Sequence, residues 1–558
     1  MVGHAPVIDG SGWAPEVGSE VDPEISERSF LLSSFTRFMS RKPFGLGRKY
    51  RQRSRLCTAS LEIVLLGGSI MLGIIGGPLM PPVSDTVQGI LADAPSPHRI
   101  IVQVSAQKRV MPAQFFGFNA EDIKTAAGSN LWFGPKVPSQ IALMHASLLR
   151  IPGGTSSQWI DWSTGKFIDS STDRFNNAGR KPLTLGDWAR IVKMSHTVPV
   201  FDLDVVNSSL SDQLSMLHAA ARLGMPIRYV ELGNELWDPT EPAYTHLYPT
   251  GADYGLAMNS WISAIKEAFP SAMIAVCGMD SSNSLFAGIP RMATWNASML
   301  GVVRGENAIT FHPYWVLAAG YEAGAPQSVV QTVLAGFTEW KRFSSETLPM
   351  LPTGVGVWLT EWNQSDLLKQ GGHQSWIQAL TVGAFALNNA TDPQIDMSLV
   401  HDVVDQAANP REPGPGITEQ YPALSTSSNG TKLTGRTANG YVLGVVFGAI
   451  KYGESLQSLN FVNGPSVSGV AELEGVRITT MNRRPGFVLI NLSGQSQDAD
   501  LSKLSSGQLT AVTLTAAPTA DPGFIKNNHV EKFVTPTIRA TGLDFQLPKY
   551  SITSITPS

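Results

Sequence analysis

Two glutamates, Glu235 and Glu361, each follow an apolar run directly, in "YVELGNELW" (229–237) and "VGVWLTEWN" (355–363). Other apolar runs end on Glu121, Arg150, Asn207, His312 and Tyr314, while Asn234 directly precedes Glu235 and Asn363 stands two residues after Glu361. A carboxylate closing one strand is, taken alone, as well explained by a solvated loop. Two facing carboxylates with a guanidinium and a phenol nearby are what retaining cleavage of a glycosidic bond requires. One carboxyl must keep a proton to release the leaving group, and the other must stay ionised to attack the anomeric carbon.

Such groups need a frame that brings many strand ends to one place. Between about residues 113 and 434, short apolar runs alternate with helical stretches. The runs are "QFFGFNAE", "SLLRIPGG", "VPVFDLDVVN", "RYVELGNE", "AMIAVCGMD", "AITFHPYW", "VGVWLTEWN" and "DMSLVHDVV". Patterns such as "SDQLSMLHAAARLG" and "DYGLAMNSWISAIKEAF" separate them. This is the α/β pattern of a (β/α)8 TIM barrel over 113–434, whose strand C-termini carry the chemistry. Counted along the chain, Glu235 closes the fourth strand and Glu361 the seventh, nearly across the mouth from each other. No glycine-rich phosphate loop follows the first strand, which argues against an open doubly wound sheet.

Beyond residue 435 the pattern turns to strand-like pieces separated by turn residues, with little helix, and predicts a β-sandwich over 435–558. Residues 98–112 alternate like a strand and are expected to join that sandwich. Residues 1–60 have little periodicity and predict a disordered, cytoplasmic tail ending in a basic run. That run, 41–55, holds seven basic residues and no acidic one, and an uncharged stretch of eighteen residues, 63–80, follows it. On hydropathy and the positive-inside rule, 61–83 is expected to be a transmembrane signal anchor, with 84–97 as a linker. The expected location is a single-pass membrane protein with its catalytic region outside the cytoplasm, or a secreted or periplasmic one if the segment is cleaved.

The formal net charge of −4 and a pI near 6.2 argue against nucleic acid as a partner. Two cysteines, Cys57 and Cys277, are too few for a disulfide framework. The histidines are scattered, without an H-x-H or H-E-x-x-H pair, so neither a metal nor another cofactor is expected.

Taken in order, "LLRIPGGTSSQWIDW", "ELGNELW", "TFHPY" and "WLTEWN" resemble the retaining glycoside hydrolases of clan A. The nearest resemblance is to the family 51 α-L-arabinofuranosidases, with the heparanase-like family 79 β-glucuronidases as a near alternative; it runs from about residue 98 to the end. It implies a carbohydrate partner and double displacement at terminal glycosidic bonds, with Glu235 as acid/base and Glu361 as nucleophile. Asn234 would bond the sugar 2-OH, Arg150 would lie against Glu361, Tyr314 would donate to Glu361, and His312 would neighbour Glu235. Glu121 and Asn207 become candidate sugar ligands, and Trp159, Trp162, Trp237 and Trp362 candidate stacking faces or plain core residues. The eighth strand departs from the family pattern, placing His401 and Asp402 where a substrate contact is expected. That leaves open a β-glucuronidase- or β-xylosidase-like specificity. An inactive, membrane-tethered carbohydrate-binding barrel is the other alternative, disfavoured because both glutamates, Arg150 and Tyr314 are all present.

Overall fold

The computed structural model of the chain describes residues 63–66, 69–72, 100–120, 126–168, 183–280, 289–316, 326–365, 375–404, 422–427, 431–480, 485–504, 509–518, 537–541 and 544–557. Eight parallel strands close into a barrel in chain order: β1 (Phe116–Asn119), β2 (Leu148–Ile151), β3 (Val198–Asp202), β4 (Tyr229–Leu232), β5 (Met273–Cys277), β6 (Ala308–Phe311), β7 (Gly356–Leu359) and β8 (Ile395–Val400). The helices α1 (Lys136–Leu143), α2 (Leu185–Ser195), α3 (Leu210–Arg222), α4 (Gly251–Ala268), α5 (Pro290–Leu300), α6 (Pro326–Arg342) and α7 (Trp376–Thr391) alternate with the strands. Local chemistry starts several of them. Thr184 and Thr250 form reciprocal capping boxes with Asp187 and Asp253, and the Ser209 side chain accepts from the Asp212 amide.

The barrel interior is built in layers, because side chains on a strand repeat their direction every second residue. Leu148, Val200, Tyr229, Ala275, Ala308, Trp358, Met397 and Leu399 form a separate apolar cluster. Two residues further along, at the C-terminal mouth, the same strand faces carry Arg150, Asp202, Glu231, Thr310 and Thr360. The floor of the mouth is therefore polar and rests on an apolar plug.

The sequence expectation of little helix after 435 is corrected by α8 (Ala438–Ile450), capped by the Thr437 side chain on the Gly440 amide. It completes the eighth strand–helix unit, so the barrel layer extends past the expected boundary at 434. Val442, Val446 and Phe447 on this helix are buried, and it packs between α7 and the carboxy-terminal sheet. A helix covered on several sides has no polar face, and its sequence shows no 3.6-residue rhythm.

The carboxy-terminal strands are β9 (Gly453–Val462), β10 (Leu473–Thr480), β11 (Pro485–Asn491), β12 (Gln497–Asp500), β13 (Leu509–Thr515), β14 (Thr537–Thr541), β15 (Asp544–Leu547) and β16 (Ser551–Pro557). They run β14-β13-β16-β11-β10-β9, continue through the strand Ile100–Val104, and end with β12 and β15. Ile100, Val102, Leu459, Phe487, Leu489, Ala511, Phe545 and Ile555 share one buried core. Ile100–Val104 alternates buried and exposed and pairs antiparallel with β9, so the start of the described domain is stitched into its end.

The expected anchor differs as well. The described part of 61–83 is two antiparallel strands, Ile63–Leu66 against Ser69–Leu72, with Gly67 and Gly68 between them in the sequence. A Gly-Gly dipeptide between two short apolar runs is a hairpin signal that competes with a helix. Among the described residues no helix is long and apolar enough to cross a membrane. The expectations for residues 1–60 and 84–97 lie outside the described residues.

Arg109 ties the two parts together. From its short strand beside β9, its guanidinium donates to the Asn389, Ala390 and Ile395 carbonyls and lies 4.6 Å from the Phe115 ring. Arg109→Met would leave two carbonyls at the end of α7 and one at the start of β8 without these donors, at about 2–4 kcal/mol. A clear fall in the urea midpoint is expected, and an unchanged midpoint would contradict this role.

Candidate active site

Arg150, at the end of β2 and fully buried, is the hub of the mouth. Its Nη1 donates to Glu361 Oε1 at 2.6 Å, its Nε to Glu231 Oε2 at 2.6 Å, and its Nη2 to Asn234 Oδ1 at 2.8 Å. Asp202 Oδ2 lies 3.0 Å from Nη2. Burial works against the guanidinium charge, but Asp202, Glu231 and Glu361 together outweigh it and hold Arg150 well above the ordinary arginine value. Asp202 goes the other way. Burial pushes its carboxyl well above the carboxylate range, Arg150 opposes this, and the Glu231 charge adds to it.

Glu361 follows β7 and accepts three hydrogen bonds. These come from Arg150, from Asn119 Nδ2 at 3.0 Å, and from the Tyr314 hydroxyl at 2.8 Å on the other oxygen. All three favour the ionised form. Glu235 sits in a different setting. The chain leaves β4 through Gly233 at φ +86° and reaches Glu235 at φ +47°, both left-handed. A side chain at Gly233 would meet Leu236 and Val205 at 2.8 Å. A left-handed glutamate is uncommon and is held by its surroundings. Here the turn is closed by the Asp238 amide on the Glu235 carbonyl at 2.8 Å.

His312, just beyond β6, joins the two sides. Its Nδ1 is 3.0 Å from Glu235 Oε1 and its Nε2 3.0 Å from Thr360 Oγ1. Burial, helped by Arg150 and His401, outweighs Glu361 and Glu231 and pushes the imidazole below its ordinary value, so it is neutral at neutral pH. One oxygen each of Glu235 and Glu361 and one His312 nitrogen lie within 4.8 Å of one another. That spacing could suit an ion, but Arg150, Asn119 and Tyr314 already hydrogen-bond Glu361, and we assign it no metal.

The sequence candidates separate under this geometry. Glu235, Glu361, Arg150, Asn234, His312 and Tyr314 converge. Asn207 does not join them: its side chain donates to the Gln158 carbonyl at 2.6 Å and its amide to Asp204 Oδ1 at 2.8 Å, organising the loop after β3. Trp159, Trp237 and Trp362 are buried core residues, Trp362 with its ring centroid 5.0 Å from that of Phe385, so none presents an open sugar platform. His401 is buried at the rim, its ring centroid 6.2 Å from Tyr314. Glu121 lies outside the described residues. Asn119, Asp202, Glu231 and Thr360 were not among the sequence candidates. Glu231 carried a signal, a carboxylate inside an otherwise apolar strand.

No protein-family model matches the chain, and no curated protein matches it. Solved structures do. A GH51 arabinofuranosidase from Xanthomonas axonopodis pv. citri aligns with a TM-score of 0.60 at 14% identity, covering 82% of this chain and 99% of that one. A thermostable GH51 α-L-arabinofuranosidase from Thermotoga petrophila gives 0.59 at 15%, covering 82% and 99%. A 4-O-α-L-rhamnosyl-β-D-glucuronidase from Fusarium oxysporum gives 0.54 at 15%, covering 82% and 100%. The chain has the clan A glycoside hydrolase fold. In that fold the mouth formed by the strand C-termini, where Glu235 and Glu361 converge, is the place for chemistry.

Asp204 supplies a pH test of the loop beneath Asn207. Burial pushes its carboxyl up to about 7, although it accepts backbone hydrogen bonds from Asn207 and Val206. The folded state then keeps a proton that the unfolded chain releases near pH 4. Its stabilising contribution is full below that pH and is lost as pH rises through about 7. Asp204→Asn keeps the Oδ1 acceptor and removes the titration, so its urea midpoint should fall less than wild type between pH 5 and 8. Parallel curves would contradict the assignment.

Proposed function

We propose that this protein is a retaining glycoside hydrolase that cleaves terminal glycosidic bonds by double displacement, with Glu361 as nucleophile and Glu235 as acid/base. One observation carries the reading: Arg150, Asn119 and Tyr314 all donate to Glu361, while Glu235, with an oxygen within 4.8 Å, faces a neutral imidazole. Like charges that close disfavour double ionisation, so one proton is shared out by environment. It goes to Glu235, because the guanidinium is bonded to Glu361. The proximity of the two groups fits a direct attack better than the roughly 6.5–9.5 Å that leaves room for an inverting water.

In the first step Glu361 attacks the anomeric carbon as the Glu235 proton passes to the departing oxygen. In the second, Glu235 takes a proton from water as that water displaces Glu361. Arg150 holds the nucleophile in place without moving, and Asn234, oriented by Arg150, is placed to meet a sugar hydroxyl. α-L-Arabinofuranosides are our first choice of substrate, on the motifs and on the named activity of the fold neighbours. β-D-glucuronides come second, because one neighbour is a glucuronidase and His401 and Asp402 occupy the rim. A panel of nitrophenyl glycosides, including β-D-xylosides, separates these specificities.

The roles separate by mutation. Glu235→Ala should lose about 10²–10⁴-fold on poor leaving groups, which need protonation, and much less in bond cleavage on activated aryl glycosides. Azide should then rescue turnover with retention, since a small anion needs no general base. Glu361→Ala should abolish retaining turnover for every leaving group. Equal losses on good and poor leaving groups, with no azide rescue of either variant, would show the assignment to be wrong.

A further inference from the structure

We propose that Thr360 and Glu231 are positioning residues that lock His312 in its Nε2–H tautomer and thereby place the catalytic proton on Glu235. This rests on the reading of Glu235 as acid/base, and it adds the device that keeps that acid loaded.

The hydrogens along one chain of contacts can be counted. Thr360 Oγ1 donates to Glu231 Oε1 at 3.0 Å. Glu231 is fully buried and its other oxygen is paired with Arg150 Nε at 2.6 Å, so this carboxylate offers only lone pairs. A hydroxyl has one hydrogen. With that hydrogen directed at Glu231, Thr360 can only accept at the 3.0 Å contact with His312 Nε2. Nε2 therefore carries the imidazole hydrogen. The ring is neutral, so Nδ1 is a bare lone pair, 3.0 Å from Glu235 Oε1. Two lone pairs do not make a hydrogen bond, and Glu235 must donate.

Carboxylates lie near both ring nitrogens, Glu231 on the side that favours the Nε2 hydrogen and Glu361 on the other, so the hydrogen bonds decide the tautomer. Glu361 Oε2 is 3.8 Å from Nδ1 and Glu231 Oε1 is 4.0 Å from Nε2. Arg150 and His401 also act on the ring, and the Cys277 thiol is electrostatically linked to Glu235. Glu361 has no need of the proton, because three donors already serve its charge. When Glu235 has given its proton to the leaving group, its carboxylate faces the Nδ1 lone pair. That repulsion is relieved when Glu235 takes a proton from the incoming water, so one arrangement serves both halves of the cycle.

Removing the Thr360 hydroxyl frees His312 to adopt the Nδ1–H form, which donates to an ionised Glu235 and favours that charge. Activity that needs protonated Glu235 is present at low pH and lost as pH rises through its ionisation. In Thr360→Val that loss should begin about one pH unit lower, the equivalent of one charge-assisted hydrogen bond. The shift should appear in kcat/KM with poor leaving groups and be absent with activated aryl glycosides. Thr360→Ser should restore the wild-type limb. The tautomer is read without any substrate, by nitrogen NMR of the protein labelled with ¹⁵N-histidine and assigned by the signal lost in His312→Gln. The Nε2–H pattern in wild type and movement toward Nδ1–H in Thr360→Val support the proposal. An Nδ1–H or imidazolium pattern in wild type at neutral pH, or an unmoved basic limb in Thr360→Val, overturns it. A protein that hydrolyses no glycoside yet shows the Nε2–H pattern would sink the glycosidase reading and leave the relay standing.

Discussion

One buried guanidinium sets the order of the whole mouth. A charge taken out of water must be surrounded by partners, and Arg150 is surrounded by Asp202, Glu231, Glu361 and Asn234 at hydrogen-bonding distances. These partners come from β3, β4, the end of β7 and the turn after β4. Fixing the guanidinium therefore fixes the relative height of four strand ends. Removing it would strand several buried carboxyl groups at once, a heavier penalty than the loss of any single contact.

The barrel supplies that height through register. Arg150 stands beside Asn119 on one side and Val200 on the other, and Glu231 stands beside Asp202. The period of two then stacks the polar floor directly on the apolar plug beneath it. The apolar plug covers the underside of the floor, and the polar groups above it bond to one another. This is why the hydrogen-bond count in the mouth can dictate where protons sit. The left-handed turn at Gly233 and Glu235 is the local departure from regular strand geometry that brings Glu235 to His312.

Much of this was legible in the sequence, for physical reasons. Parallel strands covered on both faces read as apolar runs, and all eight were found with their ends within a few residues. Glu235, Glu361 and Arg150 stood out because a charged residue closing such a run needs a reason. Asp202, Glu231 and Thr360 did not, because their meaning depends on which residues lie beside them across the sheet. Helix α8 was missed because it is apolar all round, and the pairing of Ile63–Leu66 with Ser69–Leu72 because hydropathy alone does not distinguish a helix from paired strands. Trp237 and Trp362 show the converse: aromatic residues beside catalytic candidates read as sugar platforms, yet both pack into the core.

In the proposed mechanism, the protein environment divides two neighbouring carboxyl groups into an ionised nucleophile held by Arg150 and a protonated acid held by His312. Trapping the glycosyl-enzyme tests it most directly. A 2-deoxy-2-fluoro glycoside with an activated leaving group, of the sugar that the nitrophenyl panel identifies, slows the second step more than it prevents the first. Peptide mass spectrometry of the inactivated protein should find one equivalent of sugar, on Glu361. A stoichiometric label on another residue, or steady turnover to an inverted product with no adduct, would contradict the account.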